Sequence, residues 1–196
     1  MGNAIPAEIK DLTDGRVRQH RFRYHMGRGF VTPVDTVIDV GCGTGYGTSI
    51  LSEVAFRVIG VDKEESNVVY AKKNHQTTKN EFLCTNVEEW EIPECDVVCA
   101  FESLEHLYKP AEFVRKLKEK TKKFIVFSVP LGQSLEWNEA DGEYQERGDS
   151  THKSVFAMDA SILELFLDDE WRLFYGLRDG VTFMGVVYKT GEYDKS

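Results

Sequence analysis

The stretch VIDVGCGTGYGTSIL, residues 37–51, runs an apolar segment directly into glycines at 41, 43, 45 and 47. Glycine lets a backbone turn sharply and come close to a ligand, and a glycine-rich turn that opens a helix is a ready polar-ligand site. The spacing is not the G-x-G-x-x-G of a hydride-transfer dinucleotide site, because Tyr46 stands where that pattern needs its last glycine. Asp39, just ahead of Gly41, would also be poorly placed against a pyrophosphate. A second carboxylate, Asp62, ends the run RVIGVD. At that distance beyond the glycines, a carboxylate can accept both hydroxyls of a ribose.

Two further stretches carry chemistry. His106 follows an apolar run, and its imidazole titrates near neutrality, as a general base should. A structural histidine bonded to its own loop fits the same position. The segment RVRQHRFRYHMGR, residues 16–28, gathers five arginines and two histidines with no acid. It reads either as a helix laid over a ligand or as a solvated basic helix with Phe22 and Met26 packed inward.

Gly41, Gly43 and Gly45, with Asp39 before them and Asp62 after, resemble the first motifs of the class I S-adenosylmethionine-dependent methyltransferases. The resemblance continues through FLCTNVEEW, ECDVVCAFESLEHL and FIVFSVP. It implies S-adenosylmethionine as cofactor, with Asp39 toward its ammonium end, its ribose on Asp62, and Asn86 and Val87 beside the adenine. Asn86 stands where the family usually has Asp, and an amide keeps one acceptor. Arg23 and Tyr24 fall where an N-terminal helix meets the methionine carboxylate, and Phe101 and Glu102 where the family borders the transferred methyl. Transfer from a sulfonium depends mainly on positioning, so a base is needed only where the acceptor must lose a proton. His106 and Glu102 are the candidate catalytic residues.

The spacing Glu102-x-x-Glu105-His106 also resembles the divalent-metal motif of small-RNA 3′-end and ubiquinone-pathway O-methyltransferases. On that alternative Glu102, Glu105, His106 and His152 ligate Mg²⁺, Mn²⁺ or Zn²⁺, and the metal acidifies an acceptor hydroxyl. Metal-independent relatives carry a similar stretch, and the leading reading uses no metal.

These residues need a frame. From residue 34, short β-branched runs alternate with helix-like segments, the pattern of a doubly wound α/β fold with a mostly parallel sheet. Ligands in such folds gather at strand carboxyl ends. Strands are predicted at 36–39, 57–61, 81–85, 96–100 and 124–129, and helices at 111–120 and 161–167. Two strands, 171–177 and 181–188, close the chain as an antiparallel hairpin signalled by Asp179-Gly180. The polar stretch 131–153 reads as a solvated loop or as a substrate lid.

With 196 residues, 41% of them hydrophobic, the chain can bury one core. One methyltransferase domain over 1–196 is expected, with 1–33 as an N-terminal helical cap. Cys42, Cys84, Cys95 and Cys99 form no CxxC pair and read as reduced core thiols. No apolar run is long enough for a bilayer, no signal-peptide layout precedes residue 34, and Pro6 stands where a myristoylation signal wants Ser or Thr. A cytoplasmic protein without a membrane partner is expected. The net charge of −9 argues against broad duplex nucleic-acid binding. The leading expectation is methyl transfer to an oxygen or nitrogen of a small metabolite or sugar. The alternatives are metal-assisted 2′-O-methylation of an RNA end, with the arginines of 16–28 on phosphates, and a non-catalytic cofactor-binding module.

Overall fold

The computed structural model describes residues 15–130, 135–138, 143–146, 162–179 and 182–191. The chain divides into two compact units, Met1–Cys99 and Ala100–Ser196.

The first unit begins with helix α1 (Gly15–Arg28) and continues β1 (Thr36–Val40), α2 (Tyr46–Ser52), β2 (Arg57–Asp62), α3 (Glu65–His75) and β3 (Asn80–Cys84). Strand β4 (Cys95–Phe101) ends it, its last two residues, Ala100 and Phe101, falling in the second unit. The strand order is β3-β2-β1-β4. Strand β1 pairs parallel with β2, Ile38 against Ile59, and β2 pairs parallel with β3, Gly60 against Phe82. Val37, Ile38, Val58, Val61, Val97 and Val98 are buried. A strand covered on both faces is a continuous apolar run rather than an alternating one, as 58–61 of β2 and 97–100 of β4 are, while β1 carries the buried Asp39 and the outer β3 alternates. The order reverses direction beside β1, so the carboxyl end of β1 is where a ligand crevice is expected.

The second unit holds α4 (Pro110–Lys120), β5 (Thr121–Pro130), β6 (Leu135–Asn138), β7 (Glu143–Glu146), α5 (Leu163–Phe166), β8 (Trp171–Asp179) and β9 (Thr182–Lys189). Strand β9 lies between β5 and β8 and is antiparallel to both. The closing hairpin is therefore present, with Asp179 paired to Thr182. Pro110 opens α4, where its missing N–H costs no hydrogen bond, and Phe113, Val114 and Leu117 form its buried side. Phe127 stacks on Phe166 with ring centroids 4.2 Å apart. The fold class read from the sequence, an α/β fold ending in an antiparallel hairpin, holds.

Several expectations need correction. Strand β5 starts at Thr121, three residues before the predicted 124, directly on the end of α4. The stretch 131–153 is not wholly irregular: β6 and β7 pair antiparallel, Trp137 opposite Tyr144. Residues 131–134, 139–142 and 147–161, His152 among them, lie outside the described residues, as do 1–14 of the expected cap. Of the cysteines, Cys42, Cys95 and Cys99 are buried thiols, but Cys84 is exposed at the end of β3. Among the described residues no helix is long and apolar enough to cross a membrane.

Candidate functional site

The turn after β1 is built by glycine. Its first amides fold back on β2, Gly41 and Cys42 both donating to the Val61 carbonyl at 2.8 and 3.0 Å. Gly41, Gly43 and Gly45 all take left-handed φ values, 69°, 53° and 86°. At Gly45 space forbids a side chain as well, since a Cβ would stand 2.6 Å from that of Ala71 and 2.8 Å from the Phe82 ring. Helix α2 can therefore start close over α3 and β3. Its first turn contains no acid of its own.

Two carboxylates flank this turn. Asp62, at the end of β2, accepts from the Gly43 amide at 2.8 Å with Oδ2 and from the Glu64 amide at 2.8 Å with Oδ1. Asn67 Nδ2 reaches the same Oδ1 at 3.4 Å. A carboxylate has about four acceptor positions, so this one retains capacity for a ribose hydroxyl. Asp39 is fully buried. Its donors are two hydroxyls, Thr48 Oγ1 at 2.6 Å and Tyr24 OH at 3.1 and 3.4 Å from the two carboxylate oxygens. Burial pushes its carboxyl up to about 7 against the pull of those two hydrogen bonds, and the neighbouring charge of Asp62 adds to the rise.

Helix α1 reaches this turn with Arg23 and Tyr24, the pair expected to face a ligand, and not with the Phe22 and Met26 of the alternative reading. Phe22 is 48% exposed and Met26 only partly covered, whereas Arg23 and Tyr24 are buried. The reading of a helix packed through Phe22 and Met26 fails, because burying the Tyr24 ring turns the neighbouring Phe22 outward. His20 Nδ1 is hydrogen-bonded to Tyr46 OH. Burial, with Arg23 close by, lowers the His20 imidazole to about 4, so it is neutral at physiological pH. His20, Tyr24 and Tyr46 form a cluster of tilted rings with centroids 5.4 to 5.8 Å apart. Tyr24, Thr48 and the His20–Tyr46 pair were not singled out for these contacts from the sequence. The glycine at 47, which makes room for the Tyr24 ring, was the available signal.

Asn86 acts locally: its Oδ1 accepts from the Glu88 amide at 3.1 Å and its Nδ2 donates to Glu89 at 3.2 Å. The side chain closes the turn that Val87 begins. In the second unit, Glu102 is the one described non-glycine residue with positive φ, 50°. Its amide donates to the Ser128 carbonyl at 3.0 Å, and Ser128 Oγ donates back to Glu102 Oε1 at 2.8 Å. Phe101 is buried, Glu105 is 2% exposed within the 3-10 turn Leu104–His106, and His106 is partly exposed. Among the described residues no three His, Cys, Asp or Glu side chains converge on a metal position, and the fourth proposed ligand, His152, lies outside them. Glu102, Glu105 and His106 are thus neighbours along the chain without forming a ligand set.

A glycine turn at the carboxyl end of a central parallel strand, flanked by two carboxylates, defines a nucleoside-type cofactor site on a doubly wound frame. Residues 38–124 match the family model described as "Methyltransferase domain", so this segment is similar to methyltransferase domains. A "Probable S-adenosylmethionine-dependent methyltransferase" of Mycobacterium tuberculosis is 33% identical over 108 residues, 54% of this chain and 38% of the relative. A "Ubiquinone biosynthesis O-methyltransferase" of Bradyrhizobium diazoefficiens is 38% identical over 85 residues, 41% of this chain and 33% of the relative. The chain thus spans well under half the length of these curated relatives. The fold of a Burkholderia thailandensis 1,6-didemethyltoxoflavin-N1-methyltransferase, solved with its acceptor and S-adenosylhomocysteine, covers 91% of this chain and 84% of that one. Its TM-score is 0.68 at 16% identity.

Proposed function

We propose that the chain is an S-adenosylmethionine-dependent methyltransferase that modifies an oxygen or nitrogen of a small metabolite or sugar. The observation that carries this reading is Asp39, a fully buried carboxylate bonded only to hydroxyls. Buried charge is normally paired with opposite charge, and an α-ammonium group arriving over the glycine turn supplies it. The ribose then falls to Asp62, the adenine to Asn86 and Val87, and the methionine carboxylate to Arg23. The similarity to ubiquinone O-methyltransferases supports a small-molecule acceptor.

The cofactor supplies an electrophilic methyl on a sulfonium whose departing sulfur takes the bonding electrons. We assign Phe101 and Glu102 to the acceptor side of the reaction and His106 to the proton the acceptor gives up. No step requires a metal ligand set. The test is titration of the protein with S-adenosylhomocysteine in a calorimeter, followed by transfer of radiolabelled methyl into separate small-molecule, sugar, RNA and protein pools. Label in the small-molecule or sugar pool is expected. Label confined to RNA would replace this acceptor class, and binding without any transfer would leave a cofactor-binding module.

A further inference from the structure

The first unit shows two contacts of Tyr24 that belong together. Its ring fills the space that the missing side chain of Gly47 leaves open, where a Cβ would meet three ring atoms at 2.0 to 2.3 Å. Its hydroxyl ends on both oxygens of Asp39. A hydroxyl shared between the two oxygens limits rotation of the carboxylate, and Thr48 holds Oδ2 from the other side at 2.6 Å. The ring position is fixed by α2, so the hydroxyl reaches Asp39 only when α1 is docked.

We propose that Tyr24 is a positioning residue whose hydroxyl fixes the Asp39 carboxylate as the seat of an α-ammonium group, making the docking of α1 and the reception of that group one coupled event. The inference rests on the cofactor reading above and adds to it a role for a side chain that touches the carboxylate rather than the ligand. It departs from the expectation that Tyr24 serves the methionine carboxylate. A phenol donating to Asp39 cannot give the same proton to a second carboxylate.

Among the described residues, Tyr24 on α1, Tyr46 on α2, Cys42 in the glycine turn, Cys99 on β4 and Asp62 at the end of β2 share the field of Asp39. None is a cation. Arg21 and Arg23 bear on Tyr46, and Arg23 on His20. Asp39 therefore ionises against burial and against Asp62, helped by the hydroxyls of Thr48 and Tyr24. Removing the Tyr24 hydroxyl while keeping its ring on Gly47 takes away one of those two helpers. The carboxyl should then hold its proton to higher pH, and an ammonium ligand, which needs the ionised form, should lose affinity on the acid side only.

The test uses the full chain labelled at aspartate carboxyl carbons, with Asp39 identified by the signal lost in Asp39→Asn. In Tyr24→Phe the NMR titration midpoint of Asp39 should rise by about one pH unit, and Thr48→Val should move it the same way. Placing 3-fluorotyrosine, a stronger donor, at position 24 should lower it. Calorimetry with S-adenosylhomocysteine should show Tyr24→Phe binding about tenfold more weakly than wild type at pH 6.5 but within about twofold at pH 8.5. An unchanged midpoint in Tyr24→Phe and in the fluorotyrosine protein overturns the inference, as does an affinity loss equal at both pH values. Wild-type protein that binds no S-adenosylhomocysteine overturns the cofactor reading instead, and with it the coupling to an ammonium ligand.

Discussion

Gly47 and Tyr24 exclude each other's substituents: a Cβ on Gly47 would lie 2.0 Å from Tyr24 Cζ. The ring cannot simply swing aside, because its hydroxyl is held by Asp39. Gly47→Ala should therefore cost about 1–3 kcal/mol of stability, the usual range for overpacking a filled site. Urea unfolding in a double-mutant cycle with Tyr24→Ala checks the cause. The alanine should cost little once the ring is gone. Equal costs in both backgrounds would mean that the strain lies elsewhere.

Much of the frame was legible because parallel strands announce themselves. The runs at 58–61 and 97–100 carry no polar side chain and the run at 37–40 only Asp39, and the observed strand ends fall within a residue of the predicted ones in the first unit. Legibility fails where structure depends on a partner outside the local pattern. Strand β5 extends back through Thr121, Lys122 and Lys123, whose charges look like the end of a helix and give no strand periodicity. The β6–β7 pair hides in a polar stretch for the same reason. At the site, the glycines and both aspartates were readable from type and spacing. The hydroxyls that hold Asp39 come from α1 and α2, and no spacing rule links Tyr24 to Asp39 before the helix docks. At Asn86 no spacing signalled that Oδ1 also accepts from the Glu88 amide and closes its own turn, a use that Asn readily makes of nearby amides.

The pH dependence of stability should carry the signature of Asp39. Its carboxyl lies at about 7 when folded against an ordinary 3.8, so the folded state holds the proton more tightly across that interval. Stability from this group then falls as pH rises from about 4 to about 7 and is level above. His20 opposes it: at about 4 when folded against 6.5, it takes up a proton more readily when unfolded, so its part of the stability is lost as pH falls through that window. Asp39→Asn removes only the first effect. Unfolding by urea should show the variant close to wild type at pH 4 and more stable, by on the order of a few kcal/mol, at pH 8. A difference that does not change with pH would contradict the buried, proton-holding carboxyl.

Asp62 should matter to both the loop and the ligand. It holds the Gly43 amide and the amide that precedes α3, and a ribose would use the acceptor capacity it keeps. Removing it leaves paired hydroxyls without a partner, at about 1–3 kcal/mol. Asp62→Ala should therefore weaken S-adenosylhomocysteine binding by roughly tenfold or more, read by calorimetry on protein whose folding is confirmed by circular dichroism. Unchanged affinity would remove Asp62 from the site.

Glu102 offers a stability test that needs no ligand. At φ 50° its backbone lies in the left-handed region, which costs a residue with a Cβ roughly 1–2 kcal/mol. The amide hydrogen bond to Ser128 and the Ser128 hydroxyl on Oε1 hold it there. Glu102→Ala keeps the strained conformation and loses the side-chain bond. Glu102→Gly loses the same bond but releases the strain, offset in part by the greater freedom of glycine in the unfolded chain. The glycine variant should therefore be more stable than the alanine variant by about 1 kcal/mol, in the reverse of the order found at ordinary backbone positions. Ser128→Ala removes the hydroxyl that donates to Oε1 and also accepts from the Glu102 amide at 3.3 Å, but leaves the carbonyl that receives the same amide, so it should destabilise the wild-type background more than either variant. Parallel urea titrations of the three single and two double variants measure all of this. An alanine variant as stable as the glycine variant would show that Glu102 carries no strain. The strained conformation would then be no argument for placing this carboxylate at a working site, since strain of this size persists chiefly where the surrounding structure fixes it for function.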